Sequence, residues 1–239
     1  MRMFRRLTLL VVLVLGGFLG WKARGFFGPP APPPALQAAV FKAPAAAENT
    51  GSGLTLLEGV PDVRQSTSFS CGAAALQAVL HYYGVEERED RLMKELKTSS
   101  AEGTHPGDIL RVAKAKGLGA ALREGMAFED LQAALDRGIP VIASIQAWKD
   151  DDGSAKPWSD RWEDGHYVVV LGLDAASVYV EDPSLLGCRG IIPRREFLER
   201  WHDYEGPPPY GPTRRTYIRM GLFIEGRPAH PARPYCRVD

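Results

Sequence analysis

The sequence predicts an α+β domain, with helices first and a mostly antiparallel sheet after them. Three observations predict it. Between Cys71 and Arg137 apolar residues recur at three and four, and three of these stretches stop at a glycine, Gly84, Gly117 and Gly138. After Ile139 the apolar residues instead form short continuous runs, the pattern of buried strands. The composition, 45% hydrophobic and 24% charged over 239 residues, suits one domain with a sizeable core.

Taken in order, Val60-Pro61-Asp62-Val63 reads as a short extended piece. A first helix starts at Cys71, carries Leu76, Val79, Leu80 and Tyr83 on its apolar face, and ends at Gly84. A second covers Glu86 to Leu96, with Leu92 and Leu96 inward. Residues 103–107 form a loop, and a third helix covers Asp108 to Lys116. Leu118 to Leu122 suits a strand, and Ala127 to Arg137 a fourth helix. Ile139 to Ala147 is a buried strand. The polar stretch from Trp148 to Gly165 is a long loop, expected to form a wall or lid of a cleft, and loops of that length in compact domains are often functional. Strands follow at Tyr167 to Leu173, Ser177 to Glu181 and Gly190 to Ile192. A helix at Arg195 to Trp201, a proline-rich loop at 207–212 and a last strand from Tyr217 to Ile224 complete the domain.

Both ends read as lying outside that domain. Leu7 to Trp21 is an uncharged apolar run between Arg2, Arg5 and Arg6 on one side and Lys22 and Arg24 on the other. As a helix it spans roughly 22 Å, short of a ~30 Å hydrocarbon core unless Arg6 and Lys22 snorkel. A signal-peptide core has the same length. Ala23-Arg24-Gly25 is a poor cleavage site, so an uncleaved anchor is favoured over a removed signal. The arginines before the run predict a cytoplasmic N-terminus and an exported domain, secreted if the segment is cut. The organisation expected is therefore a membrane anchor or signal segment over 1–24, a Pro/Ala-rich linker over 25–54, the domain over 55–226 and a loose tail over 227–239. Formal net charge is zero, which gives no reason to expect a nucleic-acid partner. Of the three cysteines, Cys188 and Cys236 could pair if Cys71 is reactive, or both stay reduced.

Chemistry concentrates at Gln65-Ser-Thr-Ser-Phe-Ser-Cys71-Gly72. A thiol in the first turn of a helix faces the positive end of the dipole and unpaired N–H groups, which favour the nucleophilic thiolate. Gly72 would let a substrate backbone approach. On position alone, a buried structural cysteine is an equal reading. Gln65 and the Cys71 N–H could together bind an oxyanion, although Gln65 taken alone reads as a loop residue. Of the five histidines, His166 stands where a polar loop enters a buried strand, oriented yet reachable. His81 points away along its helix, His230 lies in the tail, and His105 and His202 sit among loop or surface residues. Asp182 ends the next strand and would orient His166, provided that paired residue numbers in the hairpin sum to an even number. That parity calls for an odd-length loop such as 175–177. The ordinary alternative for Asp182 is a turn aspartate before proline.

The order Gln65-x5-Cys71-Gly72, Gly165-His166-Tyr167-Val-Val-Val-Leu, Asp182-Pro183 resembles the papain-like peptidases that remove double-glycine leaders from bacteriocins. Residues 103–118 resemble that family's helical portion, and the likeness covers roughly residues 58 to 190. It implies a papain-like fold with N-terminal helices on a mostly antiparallel sheet, and a cysteine peptidase acting through a thioester acyl-enzyme. Cys71 would be the nucleophile, His166 the base, Asp182 its orienting group and Gln65 an oxyanion donor. The partner implied is a peptide or protein substrate; no metal or cofactor is required. Ser70 stands where transporter-linked members usually carry aspartate, and the sequence has no P-loop, so a free-standing member is expected. Two alternatives remain open: a transglutaminase or amidase on the same fold, and a catalytically silent peptide-binding module.

Overall fold

The computed structural model describes residues 54–148 and 156–229. The N-terminal apolar run, the linker, Cys236 and with it any Cys188–Cys236 pairing lie outside the described residues. Among the described residues no helix is long and apolar enough to cross a membrane.

Helices α1 (Cys71–Tyr82), α2 (Glu89–Glu95) and α3 (Pro106–Ala115) precede strand β2 (Gly119–Arg123) and helix α4 (Phe128–Leu135). A two-residue strand, β1 (Thr55–Leu56), comes before them all. Strands β3 (Val141–Gln146), β4 (Gly165–Leu173), β5 (Ser177–Glu181) and β6 (Gly190–Pro193) follow. Helix α5 (Arg194–Arg200) leads to β7 (His202–Tyr204), β8 (Thr216–Ile218) and β9 (Gly221–Glu225). The main sheet has seven strands in the order β2-β9-β3-β4-β5-β6, with β1 also paired to β4; β7 and β8 form a separate pair. All of these pairings are antiparallel. The α+β expectation is met.

Helix α1 is organised by its small residues. Ala73, Ala74, Ala75 and Ala78 are fully buried along with Leu76, Val79 and Leu80, so the helix is apolar on nearly every side and lies inside the domain. Its neighbours in one core are Leu92, Leu96, Ile109 and Val112 from α2 and α3, and Tyr167, Val169 and Leu171 from β4. Alternate β4 residues, Val168 and Val170, face a second core with Leu131 and Leu135 of α4 and Phe197 of α5. The sheet is thus covered on both faces, which explains the continuous apolar run of β4. Burying Leu76 and Leu80 contributes about 1.5–3 kcal/mol each.

Two elements differ from expectation, the last strand and β7, while residues 60–63, expected as a short extended piece, join no ladder. Instead the Val63 N–H donates to Glu181 Oε1 at 2.8 Å, Arg189 bonds the Glu181 carboxylate and the carbonyls of Val60 and Pro61, and the Gln65 N–H donates to the Pro183 carbonyl at 3.0 Å. The last strand is two strands: Arg219 adopts a positive φ of 50° and carries the chain from the β7–β8 pair into the main sheet. Strand β7 has only three residues, too few for a period to show.

The β4–β5 hairpin reaches the expected parity by a different route. Near the turn Leu173 pairs with Val178, an odd sum; past an irregularity at Leu171, Val170 pairs with Val180 and Val169 with Glu181, an even sum. A bulge, not an odd-length loop, shifts the register. Continued, that register sets Asp182 opposite Val168 and one diagonal step from His166.

Candidate active site

Cys71 is the first residue of α1 and lies nearly buried. The turn before it closes on itself. Ser70 Oγ accepts the Thr67 N–H at 3.1 Å and donates to the Thr67 carbonyl at 3.2 Å, so Ser70 shapes the turn without capping the helix. Gln65 Nε2 donates to the same carbonyl at 2.6 Å, while its Oε1 is buried without a partner among the described residues. One amide hydrogen of Gln65 therefore remains to be given.

Gly72 has a role other than the one its sequence suggests. A Cβ there would stand 2.7 Å from Thr104 Cβ and 3.1 Å from the Tyr167 ring, so the glycine admits the protein's own loop and strand. Tyr167 donates its hydroxyl to the Thr104 carbonyl at 3.1 Å, joining the same three elements. Gly72→Ala is expected to cost about 1–3 kcal/mol by overpacking, measured by urea denaturation.

His166 is fully buried in β4, across from Ile145 of β3. Its Nε2 lies 2.6 Å from Asp182 Oδ1, and its Nδ1 has no hydrogen-bond partner among the described residues. Burial by itself lowers the imidazole pKa, but the Asp182 hydrogen bond and the neighbouring Cys71 outweigh it and push the value up to about 9. Asp182 shows the converse. Burial raises its pKa, yet the bonds from His166 and Ser184 leave it below the usual carboxylate range. Ser184 supplies both its N–H, at 2.8 Å, and its hydroxyl, at 2.7 Å, to Asp182 Oδ1. The indole of Trp148 lies over the imidazole with ring centroids 4.7 Å apart.

The structure separates the histidines by what occupies their nitrogens. His105 also borders the hollow that holds Cys71, but both its nitrogens meet carboxylates, Glu205 at 2.9 Å and Glu102 at 2.8 Å. His202 is buried with its Nε2 at the Arg161 carbonyl, 2.7 Å away. His81 Nε2 sits beside the Glu87 backbone. His230 lies outside the described residues. Only His166, of the four described, joins a carboxylate on one nitrogen to a vacant nitrogen and an electrostatic coupling to Cys71.

The four residues named from the sequence thus share one locality: Gln65 through the bond of its backbone to Pro183, Asp182 through His166, and His166 through Cys71. Sequence reasoning missed Ser184 and Asp203. Asp-Pro-Ser is a readable Asx-turn pattern that gives Ser184 its place. Trp148, in the loop expected to wall the cleft, does line the hollow that holds Cys71, at a positive φ of 50°. Asp203 sits in the unrecognised strand β7. Burial pushes its carboxyl up to about 6 against the hydrogen bonds of Ser144, the Tyr204 N–H and Gln146.

A helix-borne thiol beside a strand-borne imidazole and carboxylate, on this covered antiparallel sheet, defines a papain-like cysteine peptidase. Residues 57–207 match the model of the Peptidase_C39 like family, and the chain belongs to that family. It is a cysteine-type peptidase. The fold is similar to that of a C39-like peptidase from Bacillus anthracis, with TM-score 0.56 at 20% identity over 74% of this chain and 99% of that one. It is likewise similar to the peptidase domain of Streptococcus ComA, a bi-functional ABC transporter involved in quorum sensing, with TM-score 0.52 at 20% identity over 71% of this chain and 100% of that one. An uncharacterized protein of Methanothermobacter marburgensis is 29% identical over 123 residues, 52% of this chain and 71% of that protein.

Proposed function

We propose that Cys71, His166, Asp182 and Gln65 carry peptide hydrolysis through a thioester. The observation that supports this reading most is His166, whose Nδ1 has no hydrogen-bond partner among the described residues while Asp182 occupies Nε2 and the neighbouring Cys71 helps to raise the pKa of the ring. His166 Nδ1 takes the thiol proton and the sulfur attacks the scissile carbonyl carbon. The carbonyl π electrons move to oxygen, where the Cys71 N–H and the remaining Gln65 amide hydrogen stabilise the charge. Collapse breaks the C–N bond as the proton on Nδ1 passes to the leaving amine. A water then gives its proton to Nδ1 and attacks the thioester, releasing the acid and restoring the thiolate. Asp182 keeps the ring oriented and supports its charged form.

Acid quenching of the full chain during peptide turnover tests the reading. A mass increase equal to the acyl half of the peptide, mapped to Cys71, is expected; turnover without such an adduct and undiminished in Cys71→Ala contradicts it. Gln65→Ala is expected to lower kcat by about 10²- to 10³-fold with a smaller change in KM, because the charge it meets exists only after attack.

The peptidase acts, in this reading, from the outer face of the cytoplasmic membrane. Its support is the uncharged run Leu7–Trp21, the arginines before it and the proline-rich stretch Gly28–Pro34 after it. Cell fractionation checks it: the protein should stay with membranes in high salt and be cut by protease added to spheroplasts. Recovery in the cytosolic fraction would reject the tether.

A further inference from the structure

Cys71 forms part of the wall of a hollow of about 270 Å³ that is bordered by a run of carboxylates. Asp203, Glu205, Glu102 and Glu163 line it, and no lysine or arginine does among the described residues. Asp203 lies deepest. Its carboxylate rests on Ser144 and Gln146, which are themselves almost fully buried, and takes the Tyr204 N–H at 2.9 Å. All three of these partners are neutral, and the cationic group that bears on the carboxylate through space is the His166 ring. The sequence keeps room for this group: a Cβ on Gly165, next to His166, would stand 2.6 Å from both Asp203 carboxylate oxygens. Glu205 accepts the Tyr217 hydroxyl at 2.7 Å and meets His105, which also meets Glu102. Two arginines stand behind the lining: Arg215 lies over the Tyr217 ring and is paired with Glu124, and Arg214 packs on Gly206 and donates to the Pro207 carbonyl.

A half-buried carboxylate beside the reacting thiol offers a charge-assisted hydrogen bond to any cationic group that enters the hollow. The hollow opens onto Cys71, so it can receive a side chain of a peptide bound there. We propose that the hollow is a subsite for a lysine or arginine side chain of the peptide substrate, with Asp203 at its floor and Glu205 on its wall. The inference rests on Cys71 being the nucleophile. A cationic side chain would find a carboxylate at the end of a slot whose sides are the Tyr167 and Tyr217 rings and the Trp148 indole, surfaces that also attract cations.

The test uses the full-length, reduced protein and a peptide set in which each position in turn carries lysine, arginine, norleucine or glutamate. At one position the cations should be favoured over norleucine by about tenfold or more in kcat/KM, and glutamate rejected. The preference should shrink toward unity in Asp203→Asn, and partly in Glu205→Gln, which leaves the floor intact. Equal cleavage of lysine and norleucine peptides at every position overturns the subsite and leaves the Cys71 reading standing. A cation preference undiminished in both variants also overturns it. If wild type and Cys71→Ala are indistinguishable on the whole set, the underlying reading falls instead.

Discussion

Replacing Cys71 with alanine is expected to lower kcat/KM for any cleaved peptide by about 10⁴-fold or more, with the fold retained. The size of the loss follows from what the sulfur does: it forms the acyl bond through which both half-reactions pass. Cys188 is exposed in the loop between β5 and β6, outside the helix start that places Cys71, so it offers no substitute. The loss should not come from unfolding. Cys71 sits at the first turn of α1, where alanine is tolerated, and the change removes one sulfur from the edge of a core otherwise filled by Leu76, Val79 and Leu80. Peptide turnover and a urea titration, run together, check both halves. Cys71→Ser should be nearly as inactive, since a hydroxyl is a far weaker acid than a thiol and His166 would have to remove its proton at much greater cost.

Removing Asp182 is expected to have the next largest effect, about 10³-fold in kcat for Asp182→Ala. Three donors converge on Asp182 Oδ1: His166 Nε2, the Ser184 N–H and the Ser184 hydroxyl. The carboxylate is therefore fixed, and through it the ring that must present Nδ1 to Cys71. Asp182→Asn should lose less, because an amide oxygen can still accept the ring N–H but carries no charge. The pH profile separates the two roles. His166 must be protonated to expel the amine, so activity should fall on the alkaline side near pH 9, the level to which Asp182 and Cys71 push the imidazole. Both substitutions remove one of those supports, and the alkaline limb should move to lower pH. Stability follows the same linkage. A histidine whose pKa rises from 6.5 to about 9 on folding contributes stability that is complete below about 6.5 and lost as pH climbs through 9. Denaturation midpoints of Asp182→Ala should vary less over that interval than those of the wild type.

Much of this site is legible in the sequence because each group stands at an element boundary with local punctuation. Cys71-Gly72 opens a helical period, Gly165-His166 opens an apolar run and Asp182-Pro183 closes another. The pairing of Asp182 with His166 is legible too, through strand parity, though the parity is set by a bulge at Leu171 that no turn residue announces. The fold class follows from the switch of period near Ile139. What is not legible depends on contacts between distant segments. The clamp of Glu181 and Arg189 on residues 60–63 replaces a strand ladder with side-chain bonds, which a periodicity cannot show. Gly72 reads as an opening for substrate and is in fact filled by Thr104. His105 reads as a loop residue and proves to border the same hollow as Cys71, excluded from the thiol's chemistry only by Glu102 and Glu205 on its two nitrogens. Asp203 lies in a three-residue strand whose place beside the thiol is set by its pairing with β8 and its bonds to Ser144 and Gln146 of β3.

The central claim is that Cys71 is reactive because His166 is poised against it. The most direct measurement is the rate at which a peptidyl acyloxymethyl ketone modifies each cysteine of the full-length protein, followed by peptide mapping in wild type and His166→Ala. Adducts should form at Cys71 well ahead of exposed Cys188, and His166→Ala should slow Cys71 by about 10²-fold or more while leaving Cys188 unchanged. Faster labelling of Cys188, or a Cys71 rate indifferent to His166→Ala, would contradict the account.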